Sequence, residues 1–362
     1  MTIGIDASRA LKQNKTGVEW YAYYIIENLL QIDSANQYIL YYKNQPNEWL
    51  KKLSERKNVK IKRLCWPFRY FWTQGRLSLE MLLHKPNVLF IPASAMSIIH
   101  PKNTISAIHD VGFMKYPEAY SKWQLKYLKW STKFAVKHAR KIITISEFSK
   151  QEIIKYFKAD ADKIAVTYLA VENQNPTSSQ KNKKINSPYI FFIGRLEKKK
   201  NIMGIIQAFV LFKQNNQLSH KLVLAGSRGY GWQEAEKLIK QNNLQNDVII
   251  TGYVSDEDLP YLYNGADLFL FPSLYEGFGL PILEAMAYGA PVITSNFGAM
   301  AEVTGDSAIL VDPNYYKNIA EQISKVLENK ELQKDLIKKG LQQVKKFSWE
   351  KCAKETLEIL EN

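Results

Sequence analysis

Short runs of Val, Ile, Leu, Phe and Tyr alternate with longer segments whose apolar residues recur every three or four positions, almost from end to end of the chain. The first half predicts strands at TIGIDAS (2–8), YILYYK (38–43), VKIKRL (59–64), VLFIPA (88–93), TISAIH (104–109), KIITIS (141–146) and IAVTYLAV (164–171). Helical spacing fills 18–31, 75–84, 121–138 and 149–157, with Ser146 and Ser149 as candidate N-caps of the last. The second half repeats the scheme with PYIFFIG (188–194), KLVLAG (221–226), DVIITGY (247–253), DLFLFPS (267–273), PVITSN (291–296) and AILVDP (308–313). These strands are near-continuous apolar runs, which is the mark of parallel strands covered on both faces.

Between the halves the pattern stops. ENQNPTSSQKNKKINS (172–187) is polar, lysine-rich and aperiodic. The expected plan is therefore α/β. A Rossmann-like domain at 1–172 is followed by a linker at 173–187 and a second Rossmann-like domain at 188–346. The two domains are expected to face each other across a cleft. Ligands in such sheets bind beyond the carboxyl ends of the strands, so chemistry is sought just after them.

Composition narrows the classes. A chain of 362 residues with 46% hydrophobic and 12% aromatic content suits two folded domains rather than disorder. The start MTIGIDASRA shows no signal-peptide pattern, and no apolar run approaches the ~20 residues that span a bilayer. Two cysteines, Cys65 and Cys352, make neither a disulfide framework nor a zinc site, so a reducing cytoplasm is expected. The net charge of +14 favours anionic partners without choosing among them. Lys122, Lys126, Lys129, Lys133 and Lys137 form one helical stripe, and Trp123, Tyr127, Trp130 and Phe134 form a second about 100° round the helix. This is either a helix lying on an anionic membrane or a solvated lysine face on a helix whose other side is core. CWPFRYFW (65–72) carries five aromatics, which serve an acceptor, a membrane or the core.

Two strand ends carry candidate chemistry. After 188–194 comes GRLEKKKN, where Arg195 offers a planar fork and Lys200 a point charge for a diphosphate; a solvated loop is the alternative. After 267–273 comes SLYEGFGLPILEAMAYG. Gly277 and Gly279 permit close backbone approach, Pro281 suits the first helical turn, and the N–H groups near Gly279 and Leu280 form the positive end of a short helix that suits a phosphate oxygen. Glu284 lies in a nearly all-apolar helix, where a carboxylate is costly unless donors meet it. Sugar hydroxyls are such donors. With Glu276 before the turn and Glu284 beyond it, a nucleoside diphosphate sugar has the matching layout; local pairing of Glu284 and solvation of Glu276 is the alternative.

These residues resemble the retaining glycosyltransferases of family 4, which have the GT-B fold. FPSLYEGFGLPILEAMAYGAPVITSN is similar to the family's E-x7-E signature, and FIGRLEKKKN to its G-R-L-x-x-x-K-N stretch. DASRALKQNKTGVEWY resembles its N-terminal glycine loop, and SAIHDVGFMKYPEAYS the segment with its active-site histidine. The resemblance implies transfer of a hexosyl unit from a nucleotide sugar to a saccharide or lipid-linked saccharide, with retention. It gives catalytic roles to His109, Glu276, Arg195 and Lys200, with Gly17, Gly277, Phe278, Gly279, Leu280 and Glu284 also binding donor. Glu276 then holds the hexose hydroxyls, Glu284 the ribose, and His109 the sugar from the other domain. On the residues alone, His109 reads as easily as a structural histidine at a strand end. Domain closure is expected to complete the site. The family commonly returns its last helix to the first domain, and 347–362 resembles that helix.

No cofactor is expected, and no histidine cluster suggests a metal. Nucleic acid is not an expected partner; an anionic membrane surface is, with the protein cytoplasmic and peripheral on the inner face. The competing classes are another GT-B enzyme, such as a sugar-nucleotide epimerase or a phosphorylase, and a non-catalytic basic membrane-binding protein. A nicotinamide dehydrogenase is disfavoured, because GIDASRALKQ lacks G-x-G-x-x-G after the first strand.

Overall fold

The computed structural model describes residues 1–13, 15–68, 70–93, 95–172, 185 and 187–362. The expected linker 173–187 lies, apart from Ile185 and Ser187, outside them. The chain forms two compact units, Met1–Leu169 with Ser348–Asn362, and Ala170–Phe347.

Among the described residues the first unit holds seven parallel strands: β1 (Thr2–Asp6), β2 (Gln37–Tyr42), β3 (Val59–Arg63), β4 (Val88–Ile91), β5 (Thr104–Ala107), β6 (Lys141–Thr144) and β7 (Ile164–Val166). Their spatial order is β3-β2-β1-β4-β5-β6-β7. The second unit's described residues form six parallel strands: β8 (Tyr189–Ile193), β9 (Lys221–Ala225), β10 (Val248–Gly252), β11 (Leu268–Phe271), β12 (Val292–Ser295) and β13 (Ile309–Val311). Their order is β10-β9-β8-β11-β12-β13. Every strand expected from the apolar runs forms. The most uniformly apolar runs are central strands, and every residue of β4, β11 and β12 is buried. In both sheets the order reverses beside the first strand, between β1 and β4 and between β8 and β11. The crossover helices leave opposite faces there, which opens a crevice at the strand ends.

The helices differ from expectation at their edges. Ser146, not Ser149, is the N-cap of helix Glu147–Phe157, its hydroxyl accepting from the Ser149 N–H at 3.0 Å. The expected 75–84 helix begins as a π-helical turn, Thr73–Leu77, and continues as Ser78–Leu83. A helix at Glu48–Ser54, capped by Asn47, had too short an apolar pattern to stand out. Helix Trp349–Glu361 packs within the first unit on Gly17–Ile32, stacking Trp349 on Tyr24 at 5.0 Å, and Asn36 donates to Glu361 at 2.8 Å.

Helix Lys122–His138 has its lysine row exposed. It does have a core side, but that side carries Ser131, Thr132 and Ala135, with Leu125 and Leu128 partly buried beside them. Of the aromatic stripe Trp123, Tyr127 and Trp130 are exposed, Trp123 to 80%, while Phe134 is partly buried against the core. Part of the 65–72 aromatic run is core, since Trp72 is buried and donates to Leu64 O at 2.9 Å, whereas Phe68, Tyr70 and Phe71 are exposed.

Candidate active site

The second unit assembles its candidate site at the β8/β11 reversal. β8 runs into Gly194-Arg195 and β11 into Pro272–Gly279, so the two motifs found far apart in sequence leave adjacent strands. The Lys200 ammonium donates to a Glu276 carboxylate oxygen, and the two side chains are only 15% and 13% exposed. Lys200 Nζ also lies 5.3 Å from the centre of the Phe271 ring. Glu276 is thus not the solvated turn residue that one reading allowed.

Asn201 holds these loops in place. Its backbone is left-handed at φ 59°, and its buried amide donates to Pro272 O at 3.0 Å and Pro313 O at 2.7 Å. The Leu274 N–H adds a bond to Lys199 O at 2.9 Å. The β8 and β9 loops are tied as well, with the Leu196 N–H donating to Ser227 O at 2.8 Å and the Gly229 N–H to Leu196 O at 2.9 Å. Gly226 makes this possible: a Cβ there would lie 2.1 Å from Gly194 O.

Arg195 is less committed. It is largely exposed, and its Nε sits 3.5 Å from the buried Glu197 carboxylate. It shares the loop with Lys200 but not its partner.

Gly279 caps helix Leu280–Ala287 at φ 99°, a conformation that side chains rarely adopt. In its first turn Pro281 has no N–H and the Ile282 N–H donates to Gly279 O at 2.9 Å, so the Leu280 N–H is what the positive dipole end presents. The Phe278 ring is committed elsewhere: it is buried edge-on against Phe347, with centroids 5.9 Å apart.

Glu284 is half-buried one turn into this helix. The Tyr263 hydroxyl donates to its carboxylate at 2.6 Å from 21 positions away, so Glu284 is paired through the fold rather than locally. Burial pushes the Glu284 carboxyl above its ordinary value, and the Tyr263 bond offsets part of that rise. Tyr263 is itself fully buried and stacked on Tyr288 at 5.7 Å. One donor does not saturate a carboxylate, which has about four acceptor positions. Tyr263 was not found from sequence, and Asn201 appeared only as the last residue of the GRLEKKKN stretch, without a role. Tyr263 sits in an unremarked short helix, Leu259–Asn264, and nothing near it in sequence signals Glu284.

The first unit holds the other candidates. His109 is buried just beyond β5, with Nε2 3.0 Å from Pro92 O. A carbonyl only accepts, so Nε2 carries the proton and Nδ1 keeps a lone pair. Burial holds the imidazole below its ordinary pKa and therefore neutral near pH 7. The Tyr21 ring fixes its plane edge-on at 4.6 Å. Asp110 caps the following turn by accepting from the Gly112 N–H at 2.8 Å. Gly17 is the exposed first residue of helix Gly17–Ile32, with no atom within 4 Å of where a Cβ would stand.

The same loop hides an acid that the sequence did not flag. Glu19 is buried and takes Lys12 at 2.6 Å, Arg9 at 3.2 Å and the Thr16 N–H at 3.1 Å. Burial opposes its charge, yet Lys12 and Thr16 outweigh burial and bring the carboxyl down to about 2. Among the described residues no cluster of three His, Cys, Asp or Glu could hold a metal ion.

Known proteins place this geometry. A family model described as glycosyl transferases group 1 matches residues 173–343, and one described as glycosyltransferase family 4 matches residues 15–174. The chain is 34% identical over 307 residues to an O-antigen chain mannosyltransferase B of Escherichia coli, covering 83% of this chain and 78% of that protein. It is 27% identical over 270 residues to the O-antigen chain mannosyltransferase RfbU of Salmonella typhimurium, covering 75% and 72%. Among solved structures, Anabaena Alr3699/HepE in complex with UDP-glucose superposes with a TM-score of 0.73 at 18% identity, covering 100% of this chain and 99% of that one. Sucrose-phosphate synthase from Thermosynechococcus elongatus gives 0.75 at 19%, covering 100% and 98%. With both family models matched in chain order and the doubly wound sheets in place, the chain belongs to the glycosyltransferases of the family 4 type with the GT-B fold.

Proposed function

We propose that the protein moves a hexosyl unit, mannosyl by likeness to its O-antigen relatives, from a nucleoside diphosphate sugar to a hydroxyl of a saccharide or lipid-linked saccharide, with retention of anomeric configuration. The observation that carries the reading is the Lys200–Glu276 pair at the β8/β11 reversal, beside the N-terminus of helix Leu280–Ala287.

The bond from the anomeric carbon to the diphosphate breaks, and a bond to the acceptor oxygen forms. Charge gathers on the leaving diphosphate. In this reading Lys200, Arg195 and the Leu280 N–H at the positive end of its helix receive it, with Gly277 and Gly279 allowing close approach. Glu276 accepts from hexose hydroxyls, and Glu284 accepts from the ribose with the oxygen capacity Tyr263 leaves. His109 accepts from a sugar hydroxyl through Nδ1, and Gly17 keeps its loop open to the donor. A leaving phosphate oxygen takes the acceptor proton on the same face of the sugar, which is the source of retention in this scheme. Neither metal nor cofactor is assigned a part. The lipid-linked acceptor implies a cytoplasmic enzyme working against the inner face of a membrane.

Release of nucleoside diphosphate from a panel of donors, mannose donors included, tests the reading with a saccharide acceptor. Proton couplings of the new linkage report its anomer. Folded protein that releases nothing above background from any donor overturns catalysis. An inverted product overturns retention, and a rate abolished by EDTA and restored by a divalent ion overturns the metal-free scheme.

A further inference from the structure

The exposed aromatic stripe on Lys122–His138 does not end with that helix. Tyr127, Trp130, Phe134 and His138 form a ladder with successive centroids 5.9, 5.7 and 4.4 Å apart. His100 meets the ladder edge-on, 6.0 Å from Phe134. It follows Ile98 and Ile99, both exposed, whose N–H groups donate to the Ser78 hydroxyl at 3.1 and 3.3 Å. Ser78 in turn opens the helix bearing Leu79, Leu82 and Leu83, and Leu83 is 63% exposed. Exposed aromatic and aliphatic side chains thus occur on three segments of the first unit that the Ser78 hydrogen bonds and the His100–Phe134 ring contact join. Soluble surfaces scatter such residues singly, and a continuous run of them marks an interaction surface.

The chemistry alongside the run names the partner. Lys122, Lys126, Lys129, Lys133 and Lys137 are all exposed on the adjoining arc of the same helix, and Lys126 Nζ lies 5.9 Å from the Trp123 ring. A second copy of this chain would set lysine row against lysine row under a net charge of +14. Nucleic acid would leave the leucines and isoleucines uncovered. An anionic bilayer satisfies both rows, taking tryptophan and leucine to the depth of its headgroups and lysine to its phosphates.

We infer that the face formed by helix Lys122–His138, Ile98–Ile99 and helix Ser78–Leu83 docks on an anionic lipid bilayer. This deepens the membrane part of the proposed function and rests on it for purpose, while its evidence is the surface itself. No helix of the described residues is long and apolar enough to cross a membrane, so the contact is interfacial.

Co-sedimentation of the full chain with phosphatidylcholine vesicles, with and without phosphatidylglycerol, is the test. Binding is expected only with the anionic lipid and to weaken with salt. Replacing Lys126, Lys129 and Lys133 together by Gln is expected to weaken it on the order of 100-fold, from about fivefold for each lysine near a charged surface. A Trp123→Ser, Trp130→Ser variant is expected to lose binding while melting normally, since both rings are exposed. Nucleoside diphosphate release with a water-soluble acceptor should persist in every variant, which separates loss of docking from failure of the enzymatic reading. Wild type that stays in the supernatant, or binding equal on neutral vesicles, overturns the inference. So does a wild-type dimer in sedimentation velocity that the tryptophan variant dissolves, which would make the face a contact between copies.

Discussion

Lys200→Ala separates a structural ion pair from a catalytic one. The Lys200 and Glu276 side chains are 15% and 13% exposed, so their pair lies between the surface and the interior. Surface pairs contribute up to about 1 kcal/mol, and breaking a fully buried one costs about 3–5 kcal/mol. An intermediate cost of about 2 kcal/mol is expected, because the variant strands the Glu276 carboxylate with little water. For a unit of this size that lowers Tm by about 4–8 °C. The rate is expected to fall much further, because the ammonium is also assigned to the leaving diphosphate; loss of one such group costs ~3–4 kcal/mol of barrier, or about 100–1,000-fold in kcat. The assay pairs thermal melting with nucleoside diphosphate release for Lys200→Ala, Glu276→Gln and the double variant. In the double variant no charge is stranded, so Tm should recover. Its kcat should stay as low as that of the slower single variant. Recovery of kcat along with Tm would show that the pair serves only the fold, and the assignment of both residues to the donor would be refuted.

Further outcomes follow from the neighbours of that pair. Tyr263→Phe removes the one donor seen on Glu284, so the carboxyl should rise further above its ordinary value. Donor KM should then climb as pH is lowered at a higher pH than in wild type, with kcat nearly unchanged; identical pH profiles would detach Glu284 from the donor. Asn201→Ala loses bonds to Pro272 O and Pro313 O at a left-handed position. It should lower Tm by several degrees, with about 1–3 kcal/mol lost for each buried group left unsatisfied, and should slow transfer by displacing Lys200. A normal rate in the destabilised variant would show that Asn201 does not position the site. Glu19, held down to about 2 against an ordinary 4.5, contributes stability that is fully present above pH 4.5 and lost as pH falls toward 2. The amount is up to about 3 kcal/mol, reduced by solvent around its half-exposed cationic partners. Glu19→Gln should flatten that acid limb of the melting profile, and an unchanged limb would refute the assignment.

Much of this was legible in order along the chain. Parallel strands buried on both faces must be apolar throughout, so β8 and β11 announce themselves as YIFFI and LFLF. Glycines and a proline after β11 foretell a turn into a helix for equally local reasons. Helix edges were less legible, since a cap such as Ser146 competes with a second serine three residues on, and only the hydrogen bond chooses. Phe278 illustrates a different limit: its place beside the glycine turn suggested donor contact, yet its ring turns into the core against Phe347.

The sequence by itself determined two doubly wound sheets and the loops that carry the chemistry, because apolar period and turn residues are properties of neighbours in the chain. Tertiary structure alone decided that Lys200 meets Glu276 across 76 positions, that Tyr263 meets Glu284, and that Asn201 bridges to Pro313. It also decided that the tryptophans of Lys122–His138 face water. A periodic pattern fixes which residues share a helix face. Only the packing of other elements settles which face is covered, and contacts between distant strand ends exist only once the sheet order has brought those ends together.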